Sequence, residues 1–390
     1  MSTLTPEKPT TAGRARLVTL PLATLFLAEF STLTSFFLLL SVVPMLAAAA
    51  GASSSGAGLI TGSLLLGTVI AEAVATTAIR RFGYRTVIAA GAVLLGPPAL
   101  ALLGREPQAV LVGVSLVRGL GFGLCGVATG ALTAKMLPPE RRGEGLGLLG
   151  IVSGVPAVIA LPAGVWLAGH HLAAGAAVMA AAAGLLPLVA LHWVPGGREP
   201  RRTPRTGRPA GTPGSGRLVA AMRLPLIFAA VTIAAGVLDS FLPLVKEIPS
   251  DLCSAGLLVQ SIVATLSRWQ AGRYGDRYGH GRFLVPALAV AAVGLAAMLG
   301  LGSPVPFFAG LVLFGAAFGV LESATFALLL DQQPEATASA RWNFAYDAGY
   351  GAGPAVFGLI CARTGYPAAF ALTGALVLAV VPLAWRERRA

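Results

Sequence analysis

The chain has 390 residues, 56% of them hydrophobic and 11% charged, with a mean hydropathy of +0.79. Soluble domains carry about 25% charged residues, so a soluble globular protein is excluded. The net charge of +12 and pI near 10.6 do not indicate nucleic acid, because the basic residues sit in short breaks between apolar runs and build no basic face.

A hydrocarbon layer of about 30 Å takes roughly 20 apolar residues per helical crossing. On that measure the sequence predicts an all-α polytopic membrane protein with twelve spans. Spans 1 to 6 cover 17–46, 57–79, 84–104, 108–134, 145–169 and 172–194. Spans 7 to 12 cover 224–245, 252–271, 282–301, 305–330, 339–361 and 366–385. Residues 1–16 and 386–390 read as polar tails, and 195–223 as a basic linker. The core of that linker, PGGREPRRTPRTGRPAGTPGSGR, has almost no apolar side chain. It divides a six-helix bundle at 17–194 from a second at 224–385.

The polar start and the long first apolar run argue against a cleaved signal peptide. With both termini cytoplasmic, 24 of the 28 basic residues lie on the cytoplasmic side. Arg105, Lys246 and Arg363 fall in outer loops, and Arg118 lies within a span. This asymmetry fixes the expected orientation. Only Lys8, Lys135 and Lys246 are lysines. Arginine, alanine, glycine and proline are used heavily, which points to a GC-rich bacterial genome and an inner membrane. Cys125, Cys253 and Cys361 are far apart, and the four histidines form no HExxH motif. No metal, cofactor or catalytic residue is expected.

The two halves echo each other at an offset of 196 positions, 81 to 277 and 119 to 315. Arg81-Phe82-Gly83 matches Arg277-Tyr278-Gly279, and Gly119-Leu-Gly-Phe-Gly123 matches Gly315-Ala-Ala-Phe-Gly319. Leu161-Pro162-Ala-Gly164 resembles Gly353-Pro354-Ala-Val-Phe-Gly358 at a slightly different offset. A duplicated six-helix unit around a midplane site suits alternating access.

These motifs resemble the major facilitator superfamily, in its drug and metabolite efflux branches, over residues 17–385. The sharpest is Gly272-Arg-Tyr-Gly-Asp276-Arg277-Tyr-Gly279-His-Gly-Arg282, similar to the family's G-x-x-x-D-R-x-G-R cytoplasmic gate loop. Arg118-Gly-Leu-Gly-Phe-Gly123 resembles the family's fourth-span motif, which implies a part for Arg118 in proton coupling. The Gly353-Pro354 pair, with Pro162 and Gly164 in the fifth span, implies an antiporter-type helix bend. The first-half loop departs from the pattern. It reads Thr76-Thr-Ala-Ile-Arg80-Arg81-Phe-Gly83, with Arg80 where the family has Asp. Asp331 or Glu335 is expected to neutralise that arginine, since the family's Asp lies near a helix N-terminus that favours negative charge.

A charge at mid-membrane costs about 2.5–3.5 kcal/mol on insertion scales. The embedded candidates are Glu29, Glu72, Arg118, Asp239, Glu322 and Asp347, on spans 1, 2, 4, 7, 10 and 11. Spans 3, 6, 9 and 12 have uncharged cores and can face lipid. Glu29 reads either as a proton-carrying cavity acid or as the structural partner of Arg118; Glu72 is that partner's alternative. A carboxyl in apolar surroundings favours its neutral form, and an unpaired buried charge is costly. Phe36, Asp239, Glu322, Asn343 and Asp347 are candidate cavity residues, with hydrated or packing roles as alternatives. Arg268 and Trp269 read as snorkelling and interfacial residues at the inner end of span 8. His170 and His171 read as outer-loop residues.

Together these features predict a monomeric secondary transporter exporting a small hydrophobic compound in exchange for protons. A proton-coupled uptake permease for a sugar or small metabolite shares every feature, and a non-transporting receptor is a more distant alternative. An intramembrane enzyme would need a GxSxG, HExxH or clustered-aspartate constellation, none of which the sequence contains.

Overall fold

In hydrocarbon a run of backbone can satisfy its own polar groups only as a helix or a closed barrel. The computed structural model of the chain describes residues 19–104, 106–137, 142–193, 215–300 and 303–388; among them no strand occurs and nearly every residue is helical. Span 1 comprises α1 (Leu20–Leu40) and α2 (Val42–Ala49). The break at Ser41 follows from Pro44, which has no N–H and whose ring crowds the Leu40 carbonyl. Span 2 is α3 (Ser54–Phe82), and span 3 is α4 (Tyr84–Leu95) with a 3-10 turn at Pro97–Leu103. Span 4 is α5 (Gln108–Met136), span 5 is α6 (Arg142–Gly169), and span 6 joins α7 (Ala173–Leu185) to α8 (Pro187–Ala190).

The second half repeats the series. Spans 7 to 10 are α9 (Ser215–Phe241), α10 (Ser250–Tyr278), α11 (Gly281–Ala297) and α12 (Pro304–Gln332). Spans 11 and 12 run together as α13 (Glu335–Ala379), broken at Gly365 (φ 78°, ψ 171°), and end in α14 (Val381–Glu387). Among the described residues ten stretches are long and apolar enough to cross a membrane; the break at Gly365 divides one of them, and Ala173–Val189 is a shorter apolar helix. The twelve expected crossings are accommodated.

Two expected boundaries move. Helix α9 begins at Ser215, inside the stretch read as linker, while 194–214 and the N-terminal tail lie outside the described residues. The C-terminal segment is not a free tail. Glu387 is buried, accepts from Arg223 Nη1 at 3.3 Å and from Gln332 Nε2 at 3.0 Å, and so ties the chain end to spans 7 and 10.

The sequence repeat is a repeat of contacts. A Cβ at Gly119 would overlap the Leu64 carbonyl oxygen, and one at Gly315 would lie 2.6 Å from the Gln260 carbonyl oxygen. Gly123 sits likewise against Thr68 O, and Gly319 against Ala264 O. All four pairs keep the 196-position offset, 64 to 260 and 68 to 264 included. Spans 2 and 4 thus pack as spans 8 and 10 do, backbone on backbone, which small residues allow where lipid offers no hydrophobic drive between helices. Gly83 (φ 84°) and Gly279 (φ 86°) close the matching tight turns in the left-handed region that disfavours side chains.

Gly119→Ala should therefore destabilise the bundle by about 1–3 kcal/mol through overpacking. Gly126→Ala, on the same helix with nothing within 4 Å of the added methyl, should be neutral or slightly stabilising. Thermal unfolding of the two variants in detergent, followed by circular dichroism, checks the difference.

Candidate functional site

Between the halves lies a cavity of about 420 Å³. Span 1 contributes Glu29, Leu33 and Phe37, and span 5 contributes Gly150 to Leu161 through its small and apolar face. The second half supplies Asp239 from span 7, Gln260 and Arg268 from span 8, Phe318 and Glu322 from span 10, and Trp342, Asn343, Tyr346, Asp347 and Tyr350 from span 11. No lining residue comes from spans 3, 6, 9 or 12. Those spans instead expose large apolar side chains such as Val93, Met179, Val293 and Leu372.

One end of the cavity is closed, at the side away from the basic loops. There span 2 meets span 11, with Gly58 against Pro354 O and Gly358 against Ser54 O. Span 8 meets span 5, where Ser254 Oγ donates to Pro162 O at 2.7 Å and Gly169 abuts Ser250. Ser41 Oγ donates to Asp239 O, and the Ser240 and Thr61 hydroxyls are 3.1 Å apart. Toward the basic loops the halves diverge: a Cβ at Gly150 would meet nothing within 4 Å, and one at Gly154 only Arg268 Nη2, at 3.7 Å. The protein is open at the basic end.

Pro162, Gly164, Gly353 and Pro354, expected to bend helices, all lie at helix contacts. Gly164 packs on Leu38 O of span 1, and Gly353 on Ile233 O of span 7, at equivalent places in the two halves.

The embedded charges meet different partners from those expected. Arg118 is fully buried, and no carboxylate among the described residues lies within the 4.0 Å of an ion pair. It pairs with neither Glu29 nor Glu72. Instead Nε donates to Leu95 O at 3.2 Å, and one terminal nitrogen to Ser35 O at 2.8 Å and Ser35 Oγ at 3.3 Å. Ser35 Oγ in turn donates to Ala180 O at 2.7 Å. The guanidinium's fixed fork therefore joins spans 4, 3 and 1, and through Ser35 reaches span 6.

Glu29 lies on the cavity wall and accepts from the Thr129 hydroxyl of span 4. Glu72 and Asp347 are near neighbours across the two halves. Asp239 accepts from the Tyr350 hydroxyl. Glu322 is paired with Arg268, Oε1 to Nη1 at 2.8 Å. Arg268 thus points into the cavity and does not snorkel, whereas Trp269 beside it is exposed. Asn343 is at the open end. Phe36 does not line the cavity; it is buried and stacked on Phe122 with ring centroids 4.2 Å apart, and Phe37 takes the wall.

The gate-loop residues are not brought together across the halves. Arg80 and Arg81 are exposed, and Arg80 donates to Thr77 Oγ1 at 3.5 Å. Arg80 and Asp331 form no ion pair, and the Glu335 side chain lies outside the described residues. Asp276 sits 3.4 Å from His280 Nε2 in its own loop, beside Gly272, exposed Arg277 and Gly279. At the closed end His170 Nε2 lies 3.6 Å from Asp251 Oδ1, so this histidine bridges the halves.

Residue patterns alone passed over Arg268, Gln260, Thr129 and the aromatic wall. Trp342, Tyr346 and Tyr350 recur every fourth residue, with ring centroids 5.8 and 5.5 Å apart. That spacing places them on one helix face and was the available signal.

The Major Facilitator Superfamily profile matches residues 25–339 and again 254–390. An uncharacterized MFS-type transporter of Mycobacterium tuberculosis is 27% identical over 374 residues, covering 88% of this chain and 79% of that protein. A bacterial homologue of the human lysosomal transporter Spinster, solved inward-facing and unoccupied, has TM-score 0.76 and 14% identity, over 97% of this chain and 98% of its own. A D-xylose–proton symporter has TM-score 0.72 and 16% identity, over 94% and 96%.

Replacing Arg118 by Leu removes the donors to Ser35 O and Leu95 O and leaves the Leu95 carbonyl, at the end of its helix, without its side-chain donor, at about 1–3 kcal/mol. Arg118→Lys should not restore the loss, because one ammonium cannot span both carbonyls as the planar fork does. Unfolding temperatures of the two variants, read by tryptophan fluorescence, should fall together.

Proposed function

The chain belongs to the Major Facilitator Superfamily, and from that premise we propose that it exports a small hydrophobic compound by proton-coupled alternating access. The observation that carries this reading is Glu29: a carboxyl on the wall of an inter-half cavity, held by a hydroxyl and by no cation. Such a group can exchange a proton with the cavity water without breaking a structural ion pair. Positive-inside bias makes the open, basic end cytoplasmic, in a bacterial inner membrane with both termini inside.

The cycle follows from linkage. From the cytoplasm, substrate enters and favours loss of the proton; outside, a proton returns as substrate leaves. Coupling requires that proton and substrate prefer different states of one site. Arg118 serves by position: it fixes span 1, which carries Glu29, against spans 3 and 4. Efflux over uptake is favoured by the apolar first-half wall of Leu33, Phe37, Val158 and Leu161. The resemblance of Gly353-Pro354 to the antiporter motif adds to that. Nucleosides, peptides and sugars are handled by solved proteins of this fold, so the substrate must be read from this cavity and not from the architecture.

In inverted vesicles with an acid interior, a fluorescent hydrophobic dye such as ethidium should accumulate, and Glu29→Gln should reduce that accumulation by about tenfold or more with insertion intact. Undiminished accumulation in the variant would remove Glu29 from the mechanism. A proton-linked flux in the opposite sense would establish an uptake permease instead.

A further inference from the structure

The carboxyls along the cavity differ in what they meet, and the difference locates a second kind of ligand. Glu322 is neutralised by Arg268 at 2.8 Å, Glu29 is held by Thr129, and Asp347 lies near Glu72. Asp239 differs. Tyr350 donates to its Oδ2, while Oδ1 is buried with no partner among the described residues. On the neighbouring span Gln260 Oε1 is in the same condition. Both side chains line the cavity, and both are more than nine-tenths buried, at 5% and 8% exposure.

An unmatched buried acceptor is costly, and a carboxylate more so than an amide. Two such oxygens on the wall of one cavity ask for a group that only donates. Arg268, the one cation on the wall, is engaged by Glu322. Between these acceptors and the open end runs the wall of Trp342, Tyr346 and Tyr350, with Phe318 among the lining side chains. Aromatic faces attract cations and stack on flat apolar bodies.

We propose that Asp239 and Gln260 form the seat for a protonated amine, and that the transported compound is an organic ammonium carried on a flat aromatic body. This rests on reading the cavity as the transport site, and it assigns the substrate's charged head to the second half, apart from Glu29 in the first. A sugar would bring acceptors as well as donors, which two bare acceptor oxygens do not match.

The test is equilibrium binding in nanodiscs with no pH gradient, so loss of proton coupling cannot mimic its failure. The probes are 2-phenylethylammonium and its neutral match 2-phenylethanol, at equal ionic strength, read by tryptophan fluorescence and unfolding temperature. The ammonium should bind about tenfold more tightly than the alcohol. Asp239→Asn should abolish that preference and leave alcohol binding unchanged. Gln260→Leu, which keeps the carboxyl, should weaken the ammonium several-fold and serves if the Asn variant does not fold. Equal binding of the two probes, no binding of the ammonium, a preference that survives in Asp239→Asn, or undiminished ammonium binding in Gln260→Leu would overturn the proposal.

Discussion

The structure depends on one constraint: a polar or charged atom within hydrocarbon must meet a partner supplied by the protein. The partners found for four of the embedded charges lie on other spans. Glu29 meets span 4, Arg268 meets span 10, Asp239 meets span 11, and Arg118 reaches spans 1 and 3. A side chain that is expensive alone becomes a cross-link once paired, so the embedded charges hold the bundle together while their leftover valences define the cavity. Arg118 and Asp239 mark the two extremes. The arginine donates from Nε and one terminal nitrogen to buried carbonyls, and the aspartate keeps one oxygen unmatched on the cavity wall.

Duplication explains the scaffold and its asymmetry explains the site. The glycine contacts recur in both halves with the same partners. The charges do not recur. Glu72 and Arg268 occupy equivalent positions, 196 apart, as do Gly126 and Glu322. In the second half that pair of positions forms an ion pair within the bundle. In the first, Glu72 stands in place of the arginine and Gly126 in place of its acid, so that ion pair has no counterpart, and Glu72 lies near Asp347 across the interface. The polar groups of the cavity accordingly collect on the second half, and the first presents an apolar wall with Glu29 as its acid.

The helices, the two halves and the lipid-facing spans were legible in the sequence because each follows from one-dimensional patterns: apolar run length, basic loops, and uncharged cores in spans 3, 6, 9 and 12. The embedded acids were legible as a set for the same reason. Their pairing was not, since it depends on rotation about each helix axis. Arg118 was assigned an acid because a buried charge was matched to the nearest available charge; three oxygens from Ser35 and Leu95 do the same work. Arg268 was read as interfacial, although the repeat places it at the depth of Glu72, an inference that the offset alone permitted. Phe36 and Phe37 are adjacent, and no pattern could tell which faced the cavity.

The contacts at the closed end add polar pairs to the glycine packing found inside each half. Within a half, backbones interlock at Gly119, Gly123, Gly315 and Gly319, and buried ions bind across helices. Between halves the seam is built of serine hydroxyls, glycine against carbonyl, and an exposed His170–Asp251 pair. Exposed pairs contribute about 0–1 kcal/mol, and neutral hydrogen bonds about 0.5–1.5 kcal/mol net. The polar part of such a seam can be exchanged for water at small cost, and the interlocked halves cannot deform without overlap, an arrangement compatible with rocking of one half on the other.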